Sequence, residues 1–320
     1  MPENSTSVVS AFAALLLCTA TLHAQKPSDK PVELPDRAKI IAALPDSAQA
    51  TPKKSRKILV FSVTRGFKHD SIPWGIAALE EMGKKTGAFE AITSNDLVNF
   101  EADKLATFDA VVFNNTTQNV FMPSKEGFEA LDENGKSAAK EREARLKQNL
   151  LNFVKSGKGF VGIHAATDTC YEWPEFGTMI GGYFDGHPWT SGSMVSIRVE
   201  KPEHPINQCL HGISHLEFKE ECYQFKAPYD SKKQDVLLRL DLEKTDMSSI
   251  DPNKIKRTDG DFGLSWVRGY GAGRVYYSAL GHNKHIYENP KVLGHYLAGI
   301  QWALGDLAAP PPPGDAAMAE

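Results

Sequence analysis

Five histidines stand in short loops that contain glycine or asparagine, each directly after a predicted strand or turn: His69, His164, His187, His282 and His285. A histidine side chain exchanges protons near neutral pH, so in such a loop it can act as a general acid or base. Alternatively, several histidines in one pocket could bind a divalent metal such as zinc, or two or three could simply hold loop backbones in place. Because no HxH or HExxH spacing fixes a ligand pair, the pattern favours acid/base chemistry, with no cofactor assigned. The carboxylates that could complete a metal site are Asp168, Asp185 and Glu217.

His164 is the strongest candidate among these histidines. Residues 162–166 (Gly-Ile-His-Ala-Ala) end a short apolar strand and have the outline of a nucleophile elbow, in which small residues flank one exposed side chain. A hydrolase or amidotransferase carries serine or cysteine there, so the usual nucleophile is replaced and glutaminase activity is not expected. We therefore predict that His164 transfers protons, with His69 and Asp168 as the other catalytic groups.

Polar and aromatic side chains in the same loops are typical of a sugar site. A sugar ring packs its apolar C–H face on an aromatic ring, while its hydroxyl groups need polar partners. Nucleotide cofactors lack support because neither GxGxxG nor GxxxxGK[ST] occurs, so the predicted partner is a small sugar or glycoside. The two tryptophans among the candidates could instead be core anchors. The predicted substrate-binding residues are Arg65, Asn114, Asn115, Trp173, Tyr183, His187, Trp189 and His282.

The elements that must position these side chains alternate along the first half of the chain. Helices are predicted over residues 72–86, with Ser71 as N-cap, and 140–156, between apolar strands at 57–63, 89–93, 109–115 and from 160. Right-handed crossovers build such a β-α-β-α-β order into a doubly wound, mostly parallel sheet. Ligands bind outside the carboxyl ends of its strands, which is where the candidate residues stand.

The second half of the chain has a different pattern. Alternating apolar residues predict strands at 195–200 and 235–240, and residues 263–268 and 273–280 predict a hairpin around a glycine-rich turn. A last helix is expected over 290–304. The predicted fold class is therefore α/β, with an added β-hairpin region in the second half.

Composition predicts four segments. An apolar run at 8–17, too short to span a bilayer, predicts a signal peptide over 1–24 and a periplasmic or secreted protein. Residues 25–56 are predicted to be a flexible linker, 57–307 the folded domain and 308–320 an Ala/Pro-rich tail. Removal of the signal peptide would leave three cysteines, Cys170, Cys209 and Cys222. An odd number of thiols does not indicate a disulfide framework, although Cys209 and Cys222 could pair.

Charge excludes some classes of partner. The 320 residues carry a net charge of -4, so no strong positive field attracts nucleic acid or anionic lipid. We expect no nucleic-acid partner and no membrane contact beyond export. The sequence leaves open whether the protein forms a homo-oligomer.

Several motifs together resemble the trehalose-utilisation (ThuA-like) family across nearly all of the folded region. The resemblance implies a class I glutamine-amidotransferase-like, flavodoxin-like fold and a role in sugar metabolism, in handling 3-keto-glycosides made by partner dehydrogenases. The motifs are Arg65-Gly66-Phe67-x-His69-x-Ser71, Gly162-Ile163-His164-Ala165, Trp173-Pro174-Glu175-Phe176, Gly181-Gly182-Tyr183-Phe184, Gly186-His187-Pro188-Trp189 and Leu280-Gly281-His282.

Three functions stay open at this point. In the first, an exported enzyme acts on a keto-sugar, whose keto group acidifies the neighbouring C–H so that a histidine base can drive elimination, hydration or isomerisation. In the second, the fold binds sugars without catalysis, since a shared fold does not establish activity. The third is a metal-dependent hydrolase. A sugar-binding module would tolerate a neutral replacement of His164, whereas an enzyme would not.

Overall fold

The computed structural model describes residues 32–309, in which helices flank a large mixed β-sheet. The predicted signal peptide and the tail from residue 310 onward lie outside the described residues. Among residues 32–309, no helix has the length and apolar character needed to cross a membrane.

The described residues form eleven strands and seven α-helices. The strands are β1 Lys57–Phe61, β2 Glu90–Thr93, β3 Ala110–Asn114, β4 Gly159–Ile163, β5 Tyr183–Phe184, β6 Met194–Val199, β7 His215–Lys219, β8 Phe225–Lys226, β9 Asp235–Leu240, β10 Gly263–Tyr270 and β11 Gly273–Ser278. The helices are α1 Leu34–Ala43, α2 Ile72–Thr86, α3 Ala102–Leu105, α4 Lys125–Glu129, α5 Glu133–Lys155, α6 Pro174–Ile180 and α7 Pro290–Ala303.

Nine of these strands form one sheet in the order β2-β1-β3-β4-β11-β10-β9-β6-β7, and β5 pairs with β8 separately. Strands β2, β1, β3, β4 and β11 are mutually parallel, and the pairs from β11 to β7 are antiparallel. The predicted fold class, a flavodoxin-like α/β sheet extended by antiparallel strands, is confirmed. Because β1, β4 and β11 run in the same direction, the loops that follow them meet at one edge of the sheet.

Burial explains why the central strands are continuous apolar runs. Every residue of β3 and β4 is buried, as expected for parallel strands covered by helices on both faces. Helix α5 begins at Glu133, seven residues before the predicted start, because the Asp132 side chain accepts a hydrogen bond from the Gly135 N–H. The buried residues of α5 begin only at Leu146, so apolar periodicity gives no signal for its first three turns.

Helix α2 begins at Ile72 as predicted, but Ser71 does not cap it with its side chain. The Ser71 hydroxyl instead donates to the carbonyl oxygen of Gly281, at 2.7 Å. This buried hydrogen bond ties the loop after β1 to the loop after β11, the two loops that carry His69 and His282.

The prediction of a flexible linker over 25–56 is wrong for its described part, residues 32–56. Helix α1 packs on α2 there, with Ile40 fully buried. The guanidinium group of Arg37 contacts the carboxylates of Glu80 and Glu81. The segment is rich in proline and lysine, and this composition led to the linker prediction. Its one short apolar stripe is nevertheless enough to anchor a ten-residue helix on the domain.

Candidate metal centre

A tight turn is present at the end of β4, but the side chain at its apex, His164, is buried and not exposed as the elbow pattern predicted. His164 has a φ of 48°, in the left-handed region that residues other than glycine seldom occupy. Small neighbours are needed at this turn, because a Cβ at Gly162 would lie 3.0 Å from the Tyr277 ring and 3.1 Å from the Ala166 methyl group. The strained turn therefore holds the His164 side chain in one position, where it is fully buried.

The hydrogen bonds of His164 define its tautomer. Its Nδ1 lies 2.6 Å from the carbonyl oxygen of Ala279, which only accepts, so Nδ1 carries the proton and donates. In the neutral ring, Nε2 then has a free lone pair. That atom lies 2.9 Å from the Tyr223 hydroxyl oxygen and 3.6 Å from Glu221 Oε1.

Two further histidines surround this ring, one from each of the loops joined by Ser71. The ring centroids of His69 and His164 are 4.7 Å apart, those of His69 and His282 5.1 Å, and those of His164 and His282 5.4 Å. The three rings cross one another at steep angles, between 76° and 89°. They form a triangle at the carboxyl ends of β1, β4 and β11.

Glu221 lies beside this triangle and is the fourth residue of the site. Its Oε1 lies 3.2 Å from His282 Nδ1, and its Oε2 lies 3.3 Å from Nδ1 of His187, whose side chain is 46% exposed. One nitrogen or oxygen atom from each of four residues lies within 4.8 Å of the others, and we call these residues the His/Glu cluster: His69, His164, Glu221 and His282. Three imidazoles and one carboxylate are a donor set that zinc and similar divalent ions accept.

The neighbouring Glu220 binds backbone groups and does not face the histidines. Its side chain is fully buried, and its two oxygens accept hydrogen bonds from the backbone N–H groups of Gly281, His282 and Asn283 at 2.7 to 3.0 Å. Burial raises the pKa of Glu220 to about 7, although these three hydrogen bonds oppose the shift. Glu220 thus fixes the loop that carries His282, while Glu221 faces the histidines.

Electrostatics favours uncharged imidazoles at two positions of the cluster. Burial, helped by the nearby His282 and His187, lowers the pKa of His69 to about 3. Burial and the same kind of repulsion lower the pKa of His164 well below its usual value. Burial also acts to lower the pKa of His282, but the close contact with the Glu221 carboxylate outweighs it, and the pKa is raised. Neutral imidazole is the form that binds metal, and a pKa near 3 is badly matched to proton transfer at neutral pH.

Two nitrogen atoms of the cluster are buried without a hydrogen bond to any described residue. They are His69 Nδ1 and His282 Nδ1, the second lying 3.2 Å from Glu221 Oε1. Buried polar atoms in proteins normally have a partner, and an ion is one explanation for such an exception. The residues present therefore fit a divalent metal by donor type, proximity and unused lone pairs.

The structure separates some predicted polar residues from this cluster. Arg65 lines a different cavity of about 610 Å³ and donates from Nε to the carbonyl oxygen of Met122. Asn114 is buried, donating to Ser62 and to the backbone of Ile72, and Asn115 donates to the Tyr287 hydroxyl. The expectation that Arg65 and Asn114 share the cleft of His164 is wrong, because loops at one sheet edge still diverge over its width.

Three predicted aromatic residues are core anchors, the alternative left open for the tryptophans. Trp173 stacks on Phe176 with ring centroids 5.3 Å apart, and Trp189 is fully buried. The Tyr183 hydroxyl donates to backbone carbonyl oxygens of the loop that leads into α6. Each holds a long loop against the domain, which a sequence pattern does not distinguish from a ligand contact.

The carboxylates proposed as oxygen ligands also lie elsewhere. Asp168 accepts hydrogen bonds from Tyr171 and Gln118, Asp185 pairs with Lys256, and Glu217 is exposed on β7. The three cysteines are free thiols, so the suggested pairing of Cys209 with Cys222 is wrong.

Sequence reasoning missed Glu220, Glu221 and Tyr223. Glu221 follows β7 in a short charged run that looks like an ordinary solvated turn. The available signal was the position of two adjacent glutamates directly before the apolar residues Cys222 and Tyr223, where the chain returns to the core. Charges at such a boundary are buried and need partners.

The fold and the cluster together define an α/β protein of the flavodoxin-like class that carries a histidine at its elbow. Residues 57–303 match the ThuA family, described as trehalose utilisation, and the chain belongs to this family, which links it to carbohydrate metabolism. The sequence has no match among curated proteins.

Solved structures confirm the fold. A ThuA-like protein from Bacteroides uniformis superposes with a TM-score of 0.55 at 20% identity, covering 79% of this chain and 94% of its own. One from Parabacteroides merdae gives 0.52 at 16% identity, over 80% and 93%. A protein of Salmonella typhimurium LT2 described as cytoplasmic gives 0.50 at 15% identity, over 79% and 100%. At these identities the likeness shows the fold alone.

Proposed function

We propose that this protein is a divalent-metal-dependent enzyme that acts on a modified sugar, a keto-sugar or a glycoside. The observation that carries the proposal is the convergence of four ligand atoms from His69, His164, Glu221 and His282 within 4.8 Å. Family membership supports a carbohydrate as substrate. Zinc is the expected ion, because histidine nitrogens with one carboxylate oxygen are its usual ligands in enzymes.

The surrounding residues have distinct tasks in this proposal. A metal bound by the cluster would polarise a carbonyl or hydroxyl oxygen of the sugar. The Ala279 carbonyl fixes the His164 ring so that Nε2 faces the site. The Tyr223 hydroxyl, 2.9 Å from that nitrogen, donates to it in the metal-free protein and would turn to donate to a bound ligand once a metal took the Nε2 lone pair. His187, half-exposed and 3.3 Å from Glu221, lies between that carboxylate and solvent.

A second candidate function, metal-free acid/base catalysis, is supported by one observation. Contact with Glu221 raises the pKa of His282 despite its burial, so this histidine can hold a proton near neutral pH. In that case His282 and Glu221 would be the proton-transferring pair, in place of the His164 predicted from the sequence.

Metal analysis separates the two candidates. The purified chain is stripped with a chelator, reloaded with Zn²⁺, Mn²⁺, Co²⁺ or Ni²⁺, and its metal content is measured by mass spectrometry. We expect one ion per chain, lost in His282→Ala and Glu221→Gln and kept in the matched control Glu217→Gln on the exposed face of β7. Turnover of a 3-keto-glycoside should disappear on stripping and return on reloading. A metal content that both cluster variants leave unchanged would overturn the metal proposal, and turnover that survives stripping would favour the second candidate.

A further inference from the structure

A cleft of about 590 Å³ opens directly beside the His/Glu cluster. This volume is in the range of small-molecule sites. His282 belongs to both the cluster and the cleft wall, and the ring of Phe67, also in the wall, lies 4.8 Å from the His69 ring. A ligand held in the cleft therefore reaches the cluster.

One aromatic residue gives the cleft a surface suited to a sugar ring. Phe67 is 65% exposed, which leaves an apolar face available for the C–H groups of a ligand. Trp74 also lines the cleft, but the ammonium group of Lys284 lies over its ring, 4.3 Å from the ring centroid. Phe67 is therefore the stacking surface for a ligand.

The charges around the cleft favour an uncharged ligand. Three carboxylates line it, those of Asp36, Asp70 and Glu288, together with one lysine, Lys284, and two histidines, His282 and His285, so that neither sign of charge dominates the wall. A second lysine, Lys39, stands between two of the acids, with Nζ 3.5 Å from Asp36 and 3.8 Å from Glu288. Carboxylates accept hydrogen bonds from sugar hydroxyls but repel phosphate and carboxylate groups.

One wall of this cleft comes from outside the family-matched region 57–303. Asp36 stands in the first turn of α1, and the Arg37 guanidinium holds this helix on α2 through Glu81, at 3.1 Å from Nε and 2.5 Å from Nη2. Ile40, fully buried, anchors the same helix. The position of Asp36 in the cleft is therefore fixed by packing.

We propose that α1 completes a glycoside-binding cleft next to the His/Glu cluster and makes it selective for uncharged sugars. The inference rests on the proposed function for the identity of the ligand as a sugar, and it deepens that function by naming the uncharged class and the element that selects it. Phe67 provides the stacking surface, and Asp36 with its neighbouring acids accepts hydrogen bonds from sugar hydroxyls and disfavours anionic sugars.

The test is calorimetric titration of the full chain with trehalose, sucrose, cellobiose and glucose 6-phosphate. We expect at least one of the uncharged disaccharides to bind and the phosphate not to bind. Phe67→Ala and Asp36→Asn should each weaken disaccharide binding ~10-fold, whereas the exposed Asp103→Asn on α3 should not. Asp36→Lys should reverse the preference and admit glucose 6-phosphate.

Two further measurements keep this inference distinct from the metal proposal. Metal content is determined for every variant, and the titration is repeated on His164→Ala, in which disaccharide binding should weaken less than in Phe67→Ala or Asp36→Asn because the cleft itself is intact. Loss of metal with retained sugar binding leaves the inference standing. Failure of the intact chain to bind any of the disaccharides, or equal affinities in Phe67→Ala, Asp36→Asn and the control, would overturn it.

Discussion

The imidazole of His164 is oriented by the backbone carbonyl of Ala279, 2.6 Å from its Nδ1. This contact joins the end of β4 to the residue that follows β11, the neighbouring strand of the sheet. It leaves Nε2 unprotonated in the neutral ring and aimed at Glu221 and Tyr223. Outer contacts of this kind fix the tautomer and orientation of histidines that bind metals.

Replacing His164 with Asn should remove one metal ligand while keeping a side chain of similar size. We expect the affinity for Zn²⁺ to fall by at least ~10²-fold, since even outer contacts of metal ligands are worth 10- to 100-fold. Turnover should fall by ~10²–10⁴-fold. Competition with a zinc-binding dye measures the affinity, and Arg65→Ala, in the separate cavity, is the control. Unchanged affinity and turnover would make the elbow histidine structural.

Glu220→Gln should weaken metal binding without removing a ligand. The amide keeps the size of the side chain but loses the charge that holds three backbone N–H groups, so the loop of His282 should loosen. We expect a ~10- to 100-fold loss of zinc affinity, measured by the same competition.

The thermal midpoint of the same variant shows whether the effect is local. It should change in the zinc-loaded protein more than in the stripped protein, because the loop matters most when His282 is bound. An equal loss of stability in both forms, with zinc affinity retained, would show that Glu220 serves only the fold.

Stability of the metal-free protein should fall as the pH is lowered below about 6.5. Burial lowers the pKa values of His69 and His295 to about 3, so between about 6.5 and 3 the unfolded chain binds more protons than the folded one. Each such histidine contributes a slope of about 1.4 kcal/mol per pH unit. Glu220, whose pKa is raised from 4.5 to about 7, opposes one of them between these pH values, and His282, whose pKa is also raised, acts in that opposite direction above its ordinary value.

Urea titrations of the stripped chain at pH 7, 6 and 5 measure this slope. His69→Gln should flatten it by about one proton, because it removes one of the groups that titrate differently in the two states. Stability that is independent of pH over this range would contradict the burial of neutral histidines.

Export remains a proposal that rests on the sequence, since residues 1–31 lie outside the described residues. The apolar run at 8–17 followed by small residues predicts a mature chain that starts near Gln25, in the periplasm or outside the cell. N-terminal sequencing of protein from fractionated native cells is the measurement. An intact chain starting at Met1 in the cytoplasm would disprove the proposal.

Much of the α/β framework could be predicted from local pattern. Apolar runs bounded by turn residues located β1, β3 and β4, and Gly87 marked the end of α2 with a φ of 66°. For residues 37–44 the sequence indicated one or two helical turns within a linker. The packed ten-residue helix α1 was not predicted, because its stability comes from burial of Ile40 and the ion pairs of Arg37, contacts with residues distant in the sequence.

Some residues of the candidate site could be predicted from the sequence and others could not, for a physical reason. Parallel strands end at the same edge of the sheet, so the loops after β1 and β4 share that edge, and they bring the rings of His69 and His164 to 4.7 Å. Asn114 satisfies the same rule, but its side chain turns into the core, and the chain pattern does not specify that direction.

The sequence by itself determined the strand and helix pattern, the fold class and which loops carry histidines, because these depend on apolar periodicity and turn residues within short windows. Only the tertiary structure decided that Glu221 faces the histidines, that Glu220 holds the loop of His282, and that Trp173 and Trp189 are core residues. Those outcomes depend on segments far apart in the chain, whose relative placement follows from the strand order of the sheet and the packing of the loops. That packing decides whether a carboxylate faces a metal site or the solvent, and the neighbouring residues in the sequence do not predict the outcome.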